Sequence, residues 1–159
     1  MKLFAFITSI LFSTLSIAHP HAKGPVSLDY TFEKSANSDN VIQVNATITN
    51  HSDSHFYFLS QSCNGLDYYI TTTSPKATVF IFIHCNQSVP QKMTIAPNAT
   101  YAFTTRITCT GNLEKVGLNL ALIQVSKYYV VDEKFISKIE KEQKMNTLLL
   151  SGPVLAIPR

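Results

Sequence analysis

Apolar and polar residues alternate with a period of two along most of this chain. The clearest case is the stretch VIQVNATITN, residues 41–50. Its alternate apolar positions are Ile42, Val44, Ala46 and Ile48. Side chains of a β-strand point alternately to its two faces, so this pattern predicts a half-buried strand. The polar run at residues 50–54 predicts the turn that ends the strand.

Other segments rich in aromatic and β-branched residues have the same character. They are VSLDYTFEK, HFYFLS, DYYITTT, TVFIFIH, MTIAPNATYAFTTRITC, VGLNLALIQVS and NTLLLSGPVLAIP. TVFIFIH is apolar on both faces, which predicts a strand that is central or covered on both sides. Pro97 and Asn98 fit the second and third positions of a turn, which predicts a hairpin between the flanking strands. About eight short antiparallel strands joined by polar turns predict an all-β, two-sheet sandwich.

One segment departs from this pattern. DEKFISKIEKEQKM, residues 132–145, places Phe135, Ile136, Ile139 and Met145 at helical spacing, with Asp132 as the N-cap. The segment therefore predicts a short helix inserted between the last two strands. A solvated helix lying over the edge of the sandwich is the favoured interpretation, and a docking helix for a partner is the alternative.

Two stretches carry a resemblance to a known family. VNATITNHSDSHFYF has the form of a strand, a polar turn and an aromatic strand. MTIAPNATYAF resembles the hydrophobic-x-Pro-x-x-x-aromatic hairpin of immunoglobulin-like sandwiches in secreted bacterial domains. The chain is also similar to uncharacterised secreted sandwich proteins with paired cysteines, and more distantly to BsuPI-type proteinase inhibitors. The resemblance covers residues 26–125 and implies an immunoglobulin-like antiparallel β-sandwich, a fold that serves many functions.

The N-terminus predicts export. Lys2 is followed by an apolar stretch that several Ser and Thr residues interrupt, and Ser16 and Ala18 are small residues suited to cleavage after Ala18. We therefore expect a signal peptide at 1–18, a flexible leader at 19–25 and one β-sandwich domain at 26–159. An uncleaved membrane anchor is the less favoured alternative, because spanning a bilayer needs about 20 mostly apolar residues. The mature protein is expected to be secreted or periplasmic, without stable membrane insertion.

The net charge and the absence of catalytic motifs argue against several classes of function. A net charge of +3 without clustered basic residues argues against nucleic acid as a partner. The sequence contains no nucleophile turn, zinc pair, phosphate loop or Cys-x-x-Cys motif, and no paired carboxylates can be nominated. We therefore expect a protein that is not an enzyme and that binds an unknown protein or small ligand.

Three cysteines are present, so export would leave one thiol unpaired. Of the three pairings we favour Cys63 with Cys85, because each ends an aromatic strand just before a polar turn. Cys109 continues the apolar face of the preceding strand, which predicts a buried free thiol. A catalytic role for a cysteine is the less favoured alternative.

Four sequons mark acceptors for N-glycosylation if the host cell has the machinery. Their asparagines are Asn45, Asn50, Asn86 and Asn98, and each is expected at an outward strand position or in a turn. Chance alone would give about two in a chain with ten asparagines and this much Ser and Thr, so the four sequons are a weak signal.

The histidines give the second functional hypothesis. Cleavage after Ala18 would expose His19, whose free amine and imidazole together chelate Cu(II). This terminus resembles secreted sandwich proteins that begin with histidine and bind copper in this way. The second imidazole would come from His51, His55 or His84. A site using His21 is disabled, because Pro20 has no N–H to deprotonate.

Three functional hypotheses follow, in this order. The first is a non-catalytic secreted or periplasmic binding protein, for which no cofactor is expected. The second is a copper-binding protein that uses His19, and its alternative is that residues 19–25 are only a leader. The third is an extracellular peptidase inhibitor.

The polar turn at residues 50–54 has two interpretations. A role in solubility is favoured over a functional cluster of His51, Asp53 and His55.

Overall fold

The computed structural model describes residues 24–35, 38, 40–81, 88–131 and 146–158. Within them the regular structure is almost entirely antiparallel β-strand, which confirms the predicted all-β class. A single-turn 3₁₀ helix, Asp67–Tyr69, is the exception. The strands are β1 Val26–Lys34, β2 Val41–Asn50, β3 Phe56–Gln61, β4 Ile70–Thr72, β5 Ala77–Val79, β6 Pro90–Ile95, β7 Thr100–Cys109, β8 Lys115–Val116, β9 Leu118–Ile123, β10 Thr147–Ser151 and β11 Leu155–Ala156.

These described residues hold more strands than the eight or so expected, because two predicted strands are each divided. Gly117 separates β8 from β9, and its N–H donates to the Thr73 hydroxyl (2.8 Å). Gly152 follows β10, where the Tyr30 ring packs so closely that a Cβ would overlap it. Position 152 therefore has room only for glycine, because the ring of Tyr30 on the first strand fills the space beside it.

The largest sheet has the order β1-β2-β7-β5. β1 pairs with β2 over nine positions, from Val26 opposite Asn50 to Lys34 opposite Ile42. β2 pairs with β7 over a similar length. This register places Ile42, Val44, Ala46 and Ile48 on the buried face, as predicted.

The remaining strands form smaller sheets with the orders β10-β9-β4, β3-β6 and β11-β8. The end of β9 also reaches β3, through a bridge between Phe58 and Gln124 and a bond from the Val125 N–H to the Tyr57 carbonyl (3.0 Å). One apolar cluster joins these sheets to the largest one. Its most buried members include Val44, Ile48, Phe58, Ile107, Val116, Leu120 and Leu122.

The predicted hairpin between β6 and β7 is wrong in its pairing. The turn itself forms, because Asn98 has a φ of 54° and the Ala99 N–H donates to the Ala96 carbonyl (3.2 Å). However, β6 pairs with β3, and β7 pairs with β2 and β5. The turn therefore passes the chain from one sheet to another.

The prediction for TVFIFIH is also wrong in the part that the structure describes. Ala77–Val79 forms the short strand β5 at the edge of the largest sheet, and Phe80 is 45% exposed. Apolarity on both faces therefore does not signal a central strand here. Residues 82–87 lie outside the described residues.

Two other predictions fall outside the described residues, namely the signal peptide at 1–18 and the helix at 132–145. In the part of the chain that the structure describes, no helix has the length and apolarity to cross a membrane.

Candidate functional site

Two of the three predicted second copper ligands lie in one turn. His51 and His55 occupy the turn between β2 and β3, and both are exposed. His19 and His84 lie outside the described residues. The described residues contain no group of three or more His, Cys, Asp or Glu side chains placed to hold a metal ion.

The leader enters the domain beside His51. Because Val26 is paired with Asn50, Pro25 lies next to the turn, and its carbonyl accepts the backbone N–H of His51 (2.8 Å). The His51 Nε2 atom is 2.8 Å from the Ser27 hydroxyl. His51 is thus held between the turn and the first residues of β1.

His55 has a different environment. Its ring stacks on Tyr57, with the centroids 6.1 Å apart. Asp53 is exposed in the same turn. These three polar residues form no metal cluster, because His51 contacts the first residues of the domain and His55 stacks on Tyr57.

Asn50 holds this end of the molecule together. Its side chain is fully buried, and Nδ2 donates to the carbonyls of Ser54 (2.7 Å), Ile95 (3.2 Å) and Ala96 (3.1 Å). Its Oδ1 accepts the N–H (3.1 Å) and hydroxyl (2.7 Å) of Ser52. One amide thus joins the β2–β3 turn to the β6–β7 turn.

This arrangement corrects the expectation that the Asn50 sequon is outward and reachable. A glycan on Nδ2 would leave a single N–H for the three donations and would not fit in the buried site. Asn45 is half-buried on the outer face of β2, and Asn98 is exposed in its turn. Asn86 lies outside the described residues.

The cysteines are placed as follows. Cys109 is a buried free thiol, as predicted, and burial raises its pKa. Cys63 is half-buried in the turn after β3 and is not a free thiol. Cys85 lies outside the described residues, so its pairing with Cys63 remains a prediction.

A surface rich in tyrosine was not predicted from the sequence. A small apolar cluster of Leu59, Ile123 and Val125 lies apart from the main core. It is covered by Tyr57, Tyr69 and Tyr129, and we call these residues with Tyr128 the tyrosine surface. The signal that could have found it is the repeated Tyr-Tyr pair, at residues 68–69 and 128–129.

Lys92 on β6 fixes this surface. Its Nζ donates to the carbonyls of Lys127 (2.8 Å) and Tyr129 (2.9 Å) and lies 5.9 Å from the centroid of the Tyr57 ring. The Lys127 Nζ lies 4.7 Å from the centroid of Tyr128, which is 78% exposed. The Tyr69 hydroxyl accepts a hydrogen bond from Gln61 (2.7 Å), and burial raises its pKa.

Comparisons with known proteins complete these observations. No protein-family model matches this chain, and no curated protein matches it.

Proposed function

We propose that this protein is a secreted or periplasmic immunoglobulin-like β-sandwich that binds a partner and is not a catalyst. The sheet order β1-β2-β7-β5 and the apolar cluster shared with β9 and β10 support the sandwich. In this arrangement the two layers are the β1-β2-β7-β5 sheet and the sheets built on β9 and β3.

The tyrosine surface is the observation that carries the proposal. Tyrosine is enriched at protein interfaces because its ring supplies apolar contact area while its hydroxyl remains a hydrogen-bonding group. A rigid aromatic surface also loses little side-chain entropy on binding. Here Lys92 orders the backbone on which Tyr128 stands, so the surface is organised before a partner arrives. Because the exposed group of this surface is the aromatic ring of Tyr128, the partner we propose is a peptide segment with apolar side chains.

The test is selection of peptides from a display library against the purified protein. We expect selected peptides to lose affinity about tenfold or more with Tyr128→Ser, as for an interface anchor. Leu149→Ser is the matched control, because Leu149 is 64% exposed and lies on β10, away from β6. Equal losses in the two variants, or selected peptides that bind the Tyr128→Ser variant as tightly as the wild type, would reject the tyrosine surface.

Copper binding is the second candidate, and the position of His51 favours it. Six positions separate Pro25 from His19, and an extended chain covers up to about 3.5 Å per residue, so the N-terminus can reach His51. If the Ser27 hydroxyl accepts the Nε2–H of His51, the Nδ1 lone pair is left for a metal, and Ser27 orients the ring.

Titration of Cu(II) separates this candidate from adventitious binding. Protein that begins at His19 should lose about tenfold or more in affinity when one alanine precedes His19, and also with His51→Gln. His55→Gln is the matched control, because His55 stacks on Tyr57 and faces away from the leader contact. Equal weak binding by all four proteins would remove copper from consideration.

A further inference from the structure

A small cleft lies where the edge of β7 extends past the end of β5. β5 pairs with β7 only from Ile107 to Cys109, and the Phe80 N–H adds one bond to the Arg106 carbonyl (2.8 Å). The cleft has a volume of about 290 Å³, and Asp67 and Thr105 are among its lining residues. That volume is at the lower end for ligand pockets, so it fits a small molecule.

The inner wall of the cleft contains the buried hydroxyl of Thr105 and the half-buried carboxylate of Asp67. The Thr105 side chain is 4% exposed, and its hydroxyl makes no hydrogen bond at normal distance to the rest of the described chain. It faces the half-buried carboxylate of Asp67 at longer range. Burial raises the pKa of Asp67, and Thr105 and the Arg106 guanidinium oppose the rise. A bound ligand can form closer hydrogen bonds with these two polar groups.

The outer wall supplies a positive charge and an apolar contact. Arg106 is exposed on the outer face of β7, directly opposite Gln43 of β2. Phe80 lies beside Arg106 because their backbones are bonded, and its ring is 45% exposed. One negative, one positive and one apolar group thus line the same opening.

We propose that this cleft binds a small zwitterion of the α-amino acid type, with the ammonium group at Asp67, the carboxylate at Arg106 and an apolar side chain against Phe80. An anion alone would face the Asp67 carboxylate, and a cation alone would face Arg106. A ligand that carries both charges satisfies both groups, and a guanidinium binds a carboxylate through two parallel hydrogen bonds. The proposal does not rest on the tyrosine surface, although Asp67 and Tyr69 lie in the same 3₁₀ turn.

The experiment is a titration of ¹⁵N-labelled protein followed by NMR, with L-leucine and L-phenylalanine as probes. We expect saturable shifts of the amide signals of Phe80, Thr105 and Arg106. N-acetylation or C-terminal amidation of the probe removes one charge, so each modified probe should bind about tenfold or more weakly. Arg106→Gln should have the same effect on the unmodified probe, and since Arg106 is exposed this variant should fold.

The matched control is Lys76→Gln, which removes an exposed charge from the turn before β5 and should leave the shifts unchanged. Absence of saturable shifts at these three amides would overturn the proposal. Equal binding of the modified and unmodified probes would also overturn it. So would binding of a neutral sugar, instead of the amino acids, at the same amides.

Discussion

At the scale of single residues, Asn50 is more important to the fold than its position in a glycosylation sequon indicates. It ends β2, its backbone N–H donates to the Ala99 carbonyl (3.0 Å), and its side chain binds both neighbouring turns. A buried amide can be tolerated in a core only when its donors and acceptors are paired, and in this case they are. Asn50 is therefore a structural residue.

The first prediction replaces this amide by a carboxylate of the same shape. Asn50→Asp removes the Nδ2 donors and brings a negative charge towards three carbonyl oxygens, so the free energy of unfolding should fall by about 3 kcal/mol or more. The control is Asn45→Asp on the same strand, because its Oδ1, which accepts from Gln43, is retained (3.1 Å). The control should change stability by no more than about 0.5 kcal/mol. Denaturant unfolding measures both, and equal effects would contradict the role of Asn50.

Asp67 gives a prediction with a defined pH dependence. Its pKa is raised in the folded state, so ionisation opposes folding. The stability contributed by the protonated form is therefore complete below the pKa of the unfolded state. It is lost as pH rises through the pKa of the folded state. Asp67→Asn should therefore stabilise the protein more at pH 7 than at pH 3, where the carboxyl is protonated in both states. Unfolding midpoints at the two pH values measure this. An equal change at both would show that burial of the charge has no energetic effect.

At the scale of elements, the turn between β6 and β7 shows where sequence patterns succeed and where they fail. Proline and asparagine prefer these turn positions for local reasons of backbone geometry, so the turn at residues 96–99 could be predicted. Strand partners are chosen by packing between distant segments. The sequence therefore predicted both strands and the turn, but not that β6 would pair with β3.

The third prediction tests the backbone of this turn. Asn98 has positive φ, a conformation open to glycine but strained for a β-branched residue. Asn98→Val should lower the free energy of unfolding by about 1–2 kcal/mol. Asn98→Gly should change it by no more than about 0.5 kcal/mol, although it also removes the sequon. Similar losses in both variants would point to the asparagine side chain and not to the backbone.

At the scale of the whole molecule, the alternating patterns predicted the class and the buried faces of β2 and β7, including Cys109. They could not predict the tyrosine surface or the cleft at Asp67. The residues of these sites are far apart in sequence and come together only because β9 reaches β3 and β5 ends early. Of the predicted ligands, His51 and His55 lie in one turn but have separate surroundings.

The fourth prediction concerns the thiols of the whole chain. If Cys63 pairs with Cys85, native protein should not react with a maleimide, because Cys109 is buried. Unfolding without reductant should then expose one thiol per chain, and mass spectrometry counts the label. Cys109→Ser should abolish this labelling. Three labelled thiols in the unfolded wild type would mean that no disulfide forms.

The contacts of Tyr30 bear on when this chain can fold during its synthesis. Its hydroxyl donates to the carbonyl of Pro153 and accepts the N–H of Leu118 (2.8 Å), groups 123 and 88 residues further along. These two contacts of the first strand therefore cannot form until residue 153 has been synthesised. Such dependence on distant contacts slows folding. If the chain is exported, as we propose, slower folding leaves more time for translocation before the domain forms.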